Sequence, residues 1–313
     1  MKENNSEEVF HYTTNAGLLG ILDSQCLWAT HYKFLNDTSE LSLFKDKLVS
    51  FLLEKALDDD DYVDGVLKSL EGYHDLPSDP FLKEQVAHNN LVSKVKYLVE
   101  YLSTDLPNLL KLEVYLASFS IVNRKDYEYE NGLLSQWRGY SQDGGYAIVF
   151  DKRKLVNLID IEVKQEKETI IPIFGNVLYS NEDFKEFFSE QLSIIYDFLI
   201  KFDDKDKKIK PGNVFKAFTE CSILYKHQGF LEENEFRIGI ILTGSSEKER
   251  KFRSQAGNNR PYIELFKILG KALPINRIIV GPHRHSDTCA EELRIRLRKT
   301  NISISISETP FIS

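Results

Sequence analysis

The sequence has few of the features that mark secreted, fibrous or membrane-spanning proteins. Of its 313 residues, only three are cysteine and nine are proline. An odd number of scattered cysteines (Cys26, Cys221 and Cys289) is typical of free thiols in a reducing compartment. The apolar runs are far shorter than the roughly 20 residues that a membrane span needs, and residues 1–8 lack the basic and apolar regions of a signal peptide. We therefore expect a soluble cytoplasmic protein without a membrane partner.

The composition is that of a globular protein with an uneven charge distribution. Hydrophobic residues make up 42% of the chain and aromatic residues 12%, which is enough for a sizeable core and excludes a disordered chain. The net charge is −8, yet residues 235–300 carry 14 Lys or Arg against 7 Asp or Glu, a local net charge of +7. This basic segment favours a phosphate-bearing partner such as nucleic acid, although its charges could also form an ordinary solvated surface.

The order of β-rich and helical segments predicts an α+β fold, because the helices do not alternate regularly with the strands as they do in a doubly wound parallel sheet. Strands are predicted at residues 9–13, 26–30, 114–121, 145–150, 170–179, 236–243, 262–266, 277–280 and 302–307, and helices at 18–22, 183–200, 214–225 and 290–298. Residues 41–111 have helical periodicity. We expect one elaborated domain over residues 1–313, with a helical insert at about 41–111.

Two glutamates at the start of the predicted strand 236–243 are the clearest candidates for chemistry. Glu233 and Glu235 are two residues apart, so on a strand they would share one face about 7 Å apart. Carboxylates this close shift each other's pKa values, and they can stabilise a developing sugar cation while holding a hydroxyl group. The alternative is a pair of exposed acids that form ion pairs with Arg237 or Lys226.

Histidines suggest two further sites. His11 opens a strand beside Tyr12 and Thr13, where it could bond to a ribose hydroxyl while the aromatic ring stacks on a ligand ring; the alternative is a purely structural histidine. His283 and His285 lie in one loop, but a structural zinc site needs four ligands and a fourth is not evident. We therefore expect no metal site.

Several segments together resemble a bacterial family, the domain of unknown function DUF2971. The matching pieces follow one another from residue 9 to about residue 282, and their order is more specific than any single piece. They are His11-Tyr12-Thr13, residues 18–22, Leu27-Trp28, Leu35-Asn36-Asp37 with Ser39-Glu40, Ser118-Phe119-Ser120, Trp137-Arg138-Gly139-Tyr140, residues 145–151, Lys226, Glu233-x-Glu235-x-Arg237 and residues 278–282. The helical stretch at about 41–111 lies outside them.

DUF2971 in turn resembles the ADP-ribosyltransferase superfamily, whose members carry an Arg or His on the first strand, a Ser- or Tyr-bearing middle segment and a late catalytic Glu. The resemblance implies that the catalytic residues are Glu235, Glu233 and His11. The middle segment is either Ser118-Phe119-Ser120, with Phe in place of the family's Thr, or the segment that contains Tyr140. The residues expected to contact NAD are His11, Tyr12, Thr13, Trp28, Ser118, Ser120, Trp137, Arg138 and Tyr140.

The resemblance therefore implies an NAD-dependent mono-ADP-ribosyltransferase that uses NAD as its substrate and needs no metal. Glu235 would stabilise the oxocarbenium-like ribose, Glu233 would orient or deprotonate the acceptor, and His11 would hold the adenosine-side ribose. The acceptor would be a nucleic acid or a protein. A toxin or phage-defence effector is the expected role, with an antitoxin or another regulatory protein as a further partner.

Three alternatives stay open. An NAD glycohydrolase would use water as the acceptor. A non-catalytic nucleotide- or protein-binding module of the same fold would use residues 137–140 and the helical insert as contact surfaces. A nuclease-like enzyme would need Asp37, Glu40 and Glu233 to converge on a metal. Walker A, G-x-G-x-x-G and G-x-S-x-G motifs are absent, so kinases, Rossmann dehydrogenases and α/β-hydrolases have no support.

Overall fold

The computed structural model describes residues 7–34, 39–70, 79–140, 145–167, 169–201, 210–255 and 258–310. The chain divides into two compact units, each built from separate stretches of sequence. The first contains Met1–Asn36, Glu113–Val177 and Gln228–Ser313, and the second contains Asp37–Leu112 and Leu178–His227. The helical insert predicted at about residues 41–111 lies in the second unit, and residues 178–227 complete that unit.

A mixed sheet of ten strands forms the framework of the first unit among the described residues. The strands are β1 (Glu8–Thr14), β2 (Leu27–His31), β3 (Glu113–Ser120), β4 (Gly145–Asp151), β5 (Ile170–Asn176), β6 (Glu235–Leu242), β7 (Lys251–Gln255), β8 (Asn258–Leu265), β9 (Ile275–Val280) and β10 (Ser303–Ile306). Their order is β10-β9-β4-β1-β3-β2-β8-β7, while β6 pairs with both β3 and β5. Only the β9–β10 pair is parallel among these strands.

Twelve α-helices occur in the described part of the chain. They are α1 (Asn15–Ser24), α2 (Ser39–Leu57), α3 (Asp60–Leu70), α4 (Pro80–Glu100), α5 (Leu106–Leu110), α6 (Tyr127–Asn131), α7 (Leu134–Tyr140), α8 (Lys152–Gln165), α9 (Phe184–Phe187), α10 (Ser189–Lys201), α11 (Pro211–Ile223) and α12 (Ser286–Leu297). None of these helices is long and apolar enough to cross a membrane. Helices and a largely antiparallel sheet together confirm the predicted α+β class.

The side chains of the sheet alternate between two differently covered faces. On β6, Phe236, Ile238, Ile240 and Leu242 enter the main core together with residues of α1, α8 and α12. Glu235 and the alternate residues that follow it point to the opposite face. On that opposite face, the β1–β4–β9 part of the sheet packs against a smaller apolar cluster that includes Trp137 of α7.

Local signals explain several helix ends and two differences from the sequence-based prediction. Thr14 caps α1 by accepting a hydrogen bond from the Gly17 N–H, and Asp151 caps α8 through the Lys154 N–H at 3.0 Å. Helix α8 was not predicted because most of its residues are charged or polar and its apolar stripe is narrow. The helix predicted at residues 183–200 is interrupted at Phe188, whose backbone leaves the helical region.

The second unit contains a buried ion pair formed by two of the residues on which the predicted resemblance to DUF2971 rests. The Nζ of Lys226 lies 3.3 Å from Oε1 of Glu40, and both residues are more than nine-tenths buried. A buried cation and a buried anion are each costly to hold alone, and their pairing offsets part of that cost. Asn36 and Asp37, which precede Glu40 in the same motif, lie outside the described residues.

Candidate active site

The sheet of the first unit divides at one edge of β3. The opposite edge of β3 pairs with β6 along its whole length. At the divided edge, β1 joins β3 at Phe10 opposite Ser120, whereas β2 joins it at Thr30 opposite Leu116 and at His31 opposite Tyr115. We call the gap between β1 and β2, beside Ala117–Phe119 of β3, the fork.

His11 fills the fork. Its Nδ1 lies 3.1 Å from the carbonyl oxygen of Ser118, and its ring lies against Phe119 with a centroid distance of 5.6 Å. A carbonyl only accepts hydrogen bonds, so Nδ1 carries the proton and Nε2 is the acceptor of the neutral ring. Burial lowers the pKa of His11; the Ser118 carbonyl bond opposes this effect, and the charge of Arg253 adds to it. The imidazole is therefore held neutral at physiological pH.

Glu235 is the first residue of β6 and forms a buried ion pair with Arg237. Arg237 donates from Nε to Oε2 at 2.8 Å and from Nη2 to Oε1 at 3.1 Å. The two residues are only 6% and 3% exposed, so both charges are desolvated. The pair is bidentate, an arrangement that fixes a carboxylate in place. The sequence suggested Arg237 as a partner of Glu235 only in the alternative interpretation, in which the two glutamates form ion pairs. The spacing of two residues on one strand, which puts both side chains on the same face, was the signal for this pair.

Strand register places both candidate serines on the same face as this ion pair. Ser120 lies opposite Glu235, and Ser118 lies opposite Arg237. Directly opposed residues of an antiparallel pair point to one face of the sheet. By strand alternation His11 belongs to the other face, but the opening of the fork lets its ring reach the β3 backbone beside Ser118.

Glu233 does not share a strand face with Glu235, so the predicted spacing of about 7 Å along one strand is wrong. Glu233 ends a 3₁₀ turn, Gln228–Glu233, and the strand begins only at Glu235. Asn234, between them, has a φ of 40°, which takes the backbone out of the extended region. Its side chain donates to the Ile121 carbonyl at 2.8 Å, and this bond anchors the turn to the end of β3.

Tyr12 and Trp137 belong to the core rather than to an open binding surface. Tyr12 accepts a hydrogen bond from the Leu133 N–H at 2.7 Å, and burial raises the pKa of its phenol above the usual range. Trp137 is completely buried and donates from Nε1 to the Asn131 carbonyl at 2.8 Å. Their rings meet edge to face at 4.9 Å. The structure thus gives these two residues a packing role in place of the predicted stacking on a ligand.

The other residues expected to contact NAD occupy varied surroundings. Thr13 is half-buried and packs against Gly17 at the start of α1. Trp28 is half-buried on β2, where its ring lies 4.8 Å from that of Tyr262. Arg138 is exposed on α7, and Tyr140 ends that helix, with a side chain outside the described part of the chain.

Metal ligation finds no support among the described residues. They contain no group of three or more His, Cys, Asp or Glu side chains that could hold a metal ion. Glu40, which the nuclease-like alternative requires, is paired with Lys226. Asp37 lies outside the described residues, so the convergence of these acids on one metal has no geometric basis within them.

Comparison with known proteins identifies one family. No curated protein and no solved structure matches the chain. The family model described as "Protein of unknown function (DUF2971)" matches residues 136–238, a segment that begins just before Trp137 and ends just after Arg237. This segment contains Glu235, Arg237 and the serine-facing end of β6. The predicted resemblance to DUF2971 is therefore confirmed over residues 136–238, and the matching pieces predicted outside this range stay a prediction.

Proposed function

We propose that the protein is an NAD-dependent mono-ADP-ribosyltransferase with an ADP-ribosyltransferase-like core in its first unit. The observation that carries the proposal is the buried, rigidly held carboxylate of Glu235 at the start of β6. It lies one strand away from the fork in which the neutral imidazole of His11 sits.

Glu235 suits the charge that develops when NAD is cleaved. Loss of nicotinamide leaves positive charge on the ribose, as in glycoside cleavage generally. A carboxylate that is already in place stabilises this charge without reorganising during the reaction. Arg237 donates one hydrogen bond to each oxygen of Glu235. A carboxylate offers about four lone-pair positions and can accept several hydrogen bonds at once, and we propose that one of these bonds comes from the ribose 2′-hydroxyl.

The neighbouring polar groups suit the remainder of the dinucleotide. The Nε2 of neutral His11 can accept a hydrogen bond from the adenosine-side ribose, and the Ser118 and Ser120 hydroxyls share a face with Glu235. Arg138 and Tyr140 stay candidates for the nicotinamide side. Glu233, on the adjoining turn, is proposed to orient or deprotonate the acceptor.

The proposed activity implies a cellular role for the protein. Covalent ADP-ribosylation of a nucleic acid or protein would disable its target, so we propose a toxin or phage-defence role in the cytoplasm. An enzyme of this kind requires restraint in its own cell, which makes an antitoxin or another regulatory protein an expected partner.

The test is transfer of label from NAD. The purified protein is incubated with NAD labelled on the ADP-ribose and a cell lysate, followed by nuclease or protease treatment. Glu235→Gln should abolish transfer while NAD binding is largely retained, because the carboxylate acts mainly in the transition state. Glu233→Gln is the matched control: it should lower transfer without abolishing nicotinamide release. Full activity of a folded Glu235→Gln variant would contradict the assignment, and nicotinamide release without transfer would indicate a glycohydrolase.

A second candidate is a non-catalytic nucleotide- or protein-binding module. The burial of Tyr12 and Trp137 and the pairing of Glu235 with Arg237 favour it, because all four side chains already serve the fold. This reading predicts that the wild-type protein releases no nicotinamide and that Glu235→Gln alters stability alone.

A further inference from the structure

Helices α6 and α7, between β3 and β4, lie on the same face of the sheet as Glu235. We call residues 127–140, which contain both helices, the arm. Helix α7 packs against β1, the strand of His11, and against the turn Gln228–Glu233 that leads into Glu235. The arm therefore borders the proposed NAD site, and its position decides where Arg138 lies.

Trp137 anchors the arm to the sheet. Its indole is completely buried, meets the Tyr12 ring edge to face at 4.9 Å, and donates from Nε1 to the Asn131 carbonyl oxygen at 2.8 Å. The packing around the ring is tight, because a Cβ added at Gly132 would lie 2.4 Å from it and one at Gly281 would lie 3.0 Å from it. An interior packed this closely leaves a side chain little freedom, so Trp137 sets the position of α7.

The C-terminal tail, residues 307–309, bonds to the same carbonyl group as Trp137. The Oγ of Ser307 donates to the Asn131 carbonyl oxygen at 2.6 Å, and the Glu308 N–H donates to Oδ1 of Asn131 at 2.7 Å. A carbonyl oxygen has two lone pairs, and here one accepts from Trp137 and the other from Ser307. The Asn131 side chain also donates from Nδ2 to the Tyr127 carbonyl at 3.1 Å. Asn131, which is buried, thus joins the tail to both helices of the arm.

The tail is itself fixed to the sheet. The Ser307 N–H donates to the Val280 carbonyl at 2.9 Å, which continues the pairing of β9 with β10 past Ile306. The Ser307 Oγ accepts from the Thr309 N–H at 3.2 Å, and both residues are buried. The Ser307 hydroxyl is therefore a buried link from β9 through the tail to the arm.

The position of α7 matters for a ligand because Arg138 directly follows Trp137. Arg138 is exposed on α7. Arginine presents several N–H donors in a rigid fork that suits phosphate oxygens. A misplacement of about 1 Å at a binding group can cost about a hundredfold in activity, even when its cause lies far from the chemistry. Residues that fix α7 therefore act on any ligand that Arg138 binds.

We propose that Asn131 and Ser307 are positioning residues of the proposed NAD site. They hold α7 so that Arg138 meets a phosphate oxygen in the nicotinamide half of NAD. Neither residue contacts NAD in this arrangement; both act through the Trp137 anchor. The inference rests on the proposed function, because it takes NAD as the ligand.

The first test is Ser307→Ala, which removes only the hydroxyl group. In calorimetric titration its affinity for NAD should fall by roughly three- to tenfold, while kcat for nicotinamide release should change by less than about twofold, since Glu235 keeps its place. Ser307→Thr restores the hydroxyl and should bind NAD within about twofold of the wild type. The matched control is Thr243→Val, which removes a hydroxyl that donates to the Thr169 carbonyl at 2.9 Å, at the opposite end of β6 from Glu235. It should leave NAD affinity unchanged.

A double-mutant cycle tests the route through Arg138. Arg138→Gln should itself weaken NAD binding, and in that background Ser307→Ala should add less than about twofold. Losses that multiply in the double variant would overturn the positioning role, as would unchanged affinity in a folded Ser307→Ala variant. Equal losses of affinity in Ser307→Ala and Thr243→Val would also overturn it, because they would report stability alone.

The same measurements separate this inference from the proposed function. Nicotinamide release by the wild type, with an NAD affinity that Ser307→Ala does not alter, would refute the positioning role and leave the transferase standing. NAD binding that Ser307→Ala weakens, without nicotinamide release by the wild type, would refute the transferase and leave the positioning role standing. A wild-type protein that does not bind NAD would overturn both.

Discussion

The Glu235–Arg237 pair allows a quantitative prediction for the first unit. Both groups are more than nine-tenths buried, and two hydrogen bonds of 2.8 and 3.1 Å join them. Arg237→Met would remove the bidentate counter-charge of a buried carboxylate, and breaking a buried ion pair in this way typically costs about 3–5 kcal/mol of unfolding free energy. Glu235→Gln keeps one acceptor for the guanidinium but removes its counter-charge, so we expect a loss near the lower end of that range. The double variant should lose less than the sum of the single variants by about 2–3 kcal/mol.

The assay is urea unfolding followed by tryptophan fluorescence. Trp28 and Trp137 both lie in the first unit, so the signal reports the unit that contains the pair. With a slope of about 2 kcal/mol per M, Arg237→Met should lower the midpoint by roughly 1.5–2.5 M. The control is Arg294→Met, which breaks an exposed i, i+3 contact with Glu291 and should cost less than about 0.5 kcal/mol. Single variants that each cost less than about 1 kcal/mol, or strictly additive losses, would refute the reasoning.

Three further predictions concern residues around the site. Burial lowers the pKa of His31 to about 4 from its ordinary 6.5, so the unfolded state binds more protons between these values and stability falls as the pH falls below 6.5. From pH 7 to pH 5 the wild type should lose roughly 1–2 kcal/mol more than His31→Gln in urea unfolding; parallel pH profiles would contradict this. Tyr12→Phe leaves the Leu133 N–H unpaired and should cost about 1–3 kcal/mol in the same assay; an unchanged midpoint would show that Leu133 finds another acceptor. In Gly132→Ala, the new Cβ would lie 2.4 Å from the Trp137 ring at a φ of 75°, so thermal unfolding should show a loss of about 2–4 kcal/mol; wild-type stability would refute this tight contact.

Local patterns were sufficient to predict most elements of the first unit. The strand at residues 9–13, the helix after it and the strand at 236–243 appear as β1, α1 and β6 within a few residues. These segments are recognisable because side-chain periodicity and capping act over a few neighbouring residues. Helix α8 was not predicted because its four buried positions are separated by charged residues, and one of those buried positions is itself occupied by a charged residue, Glu162.

The candidate site could be predicted only in part, for a physical reason. His11, Ser118 and Glu235 were singled out by residue type and order, but Glu233 was placed on the strand because a positive φ at Asn234 leaves no clear mark in the sequence. Trp137 was expected to meet a ligand because an indole suits a core and a binding surface equally well; contacts made elsewhere in the chain decide between them.

The sequence by itself determined the α+β class, the residue types available for chemistry and the resemblance to DUF2971. Only the tertiary structure shows that β1 and β2 form a fork against β3, because these strands pair through residues that are far apart in the sequence, such as Phe10 and Ser120. It also decided that Arg237 holds Glu235, and that the Asn131 carbonyl joins Ser307 to Trp137. Register and burial are properties of the partner strand as much as of the strand itself, so no short stretch of sequence contains them.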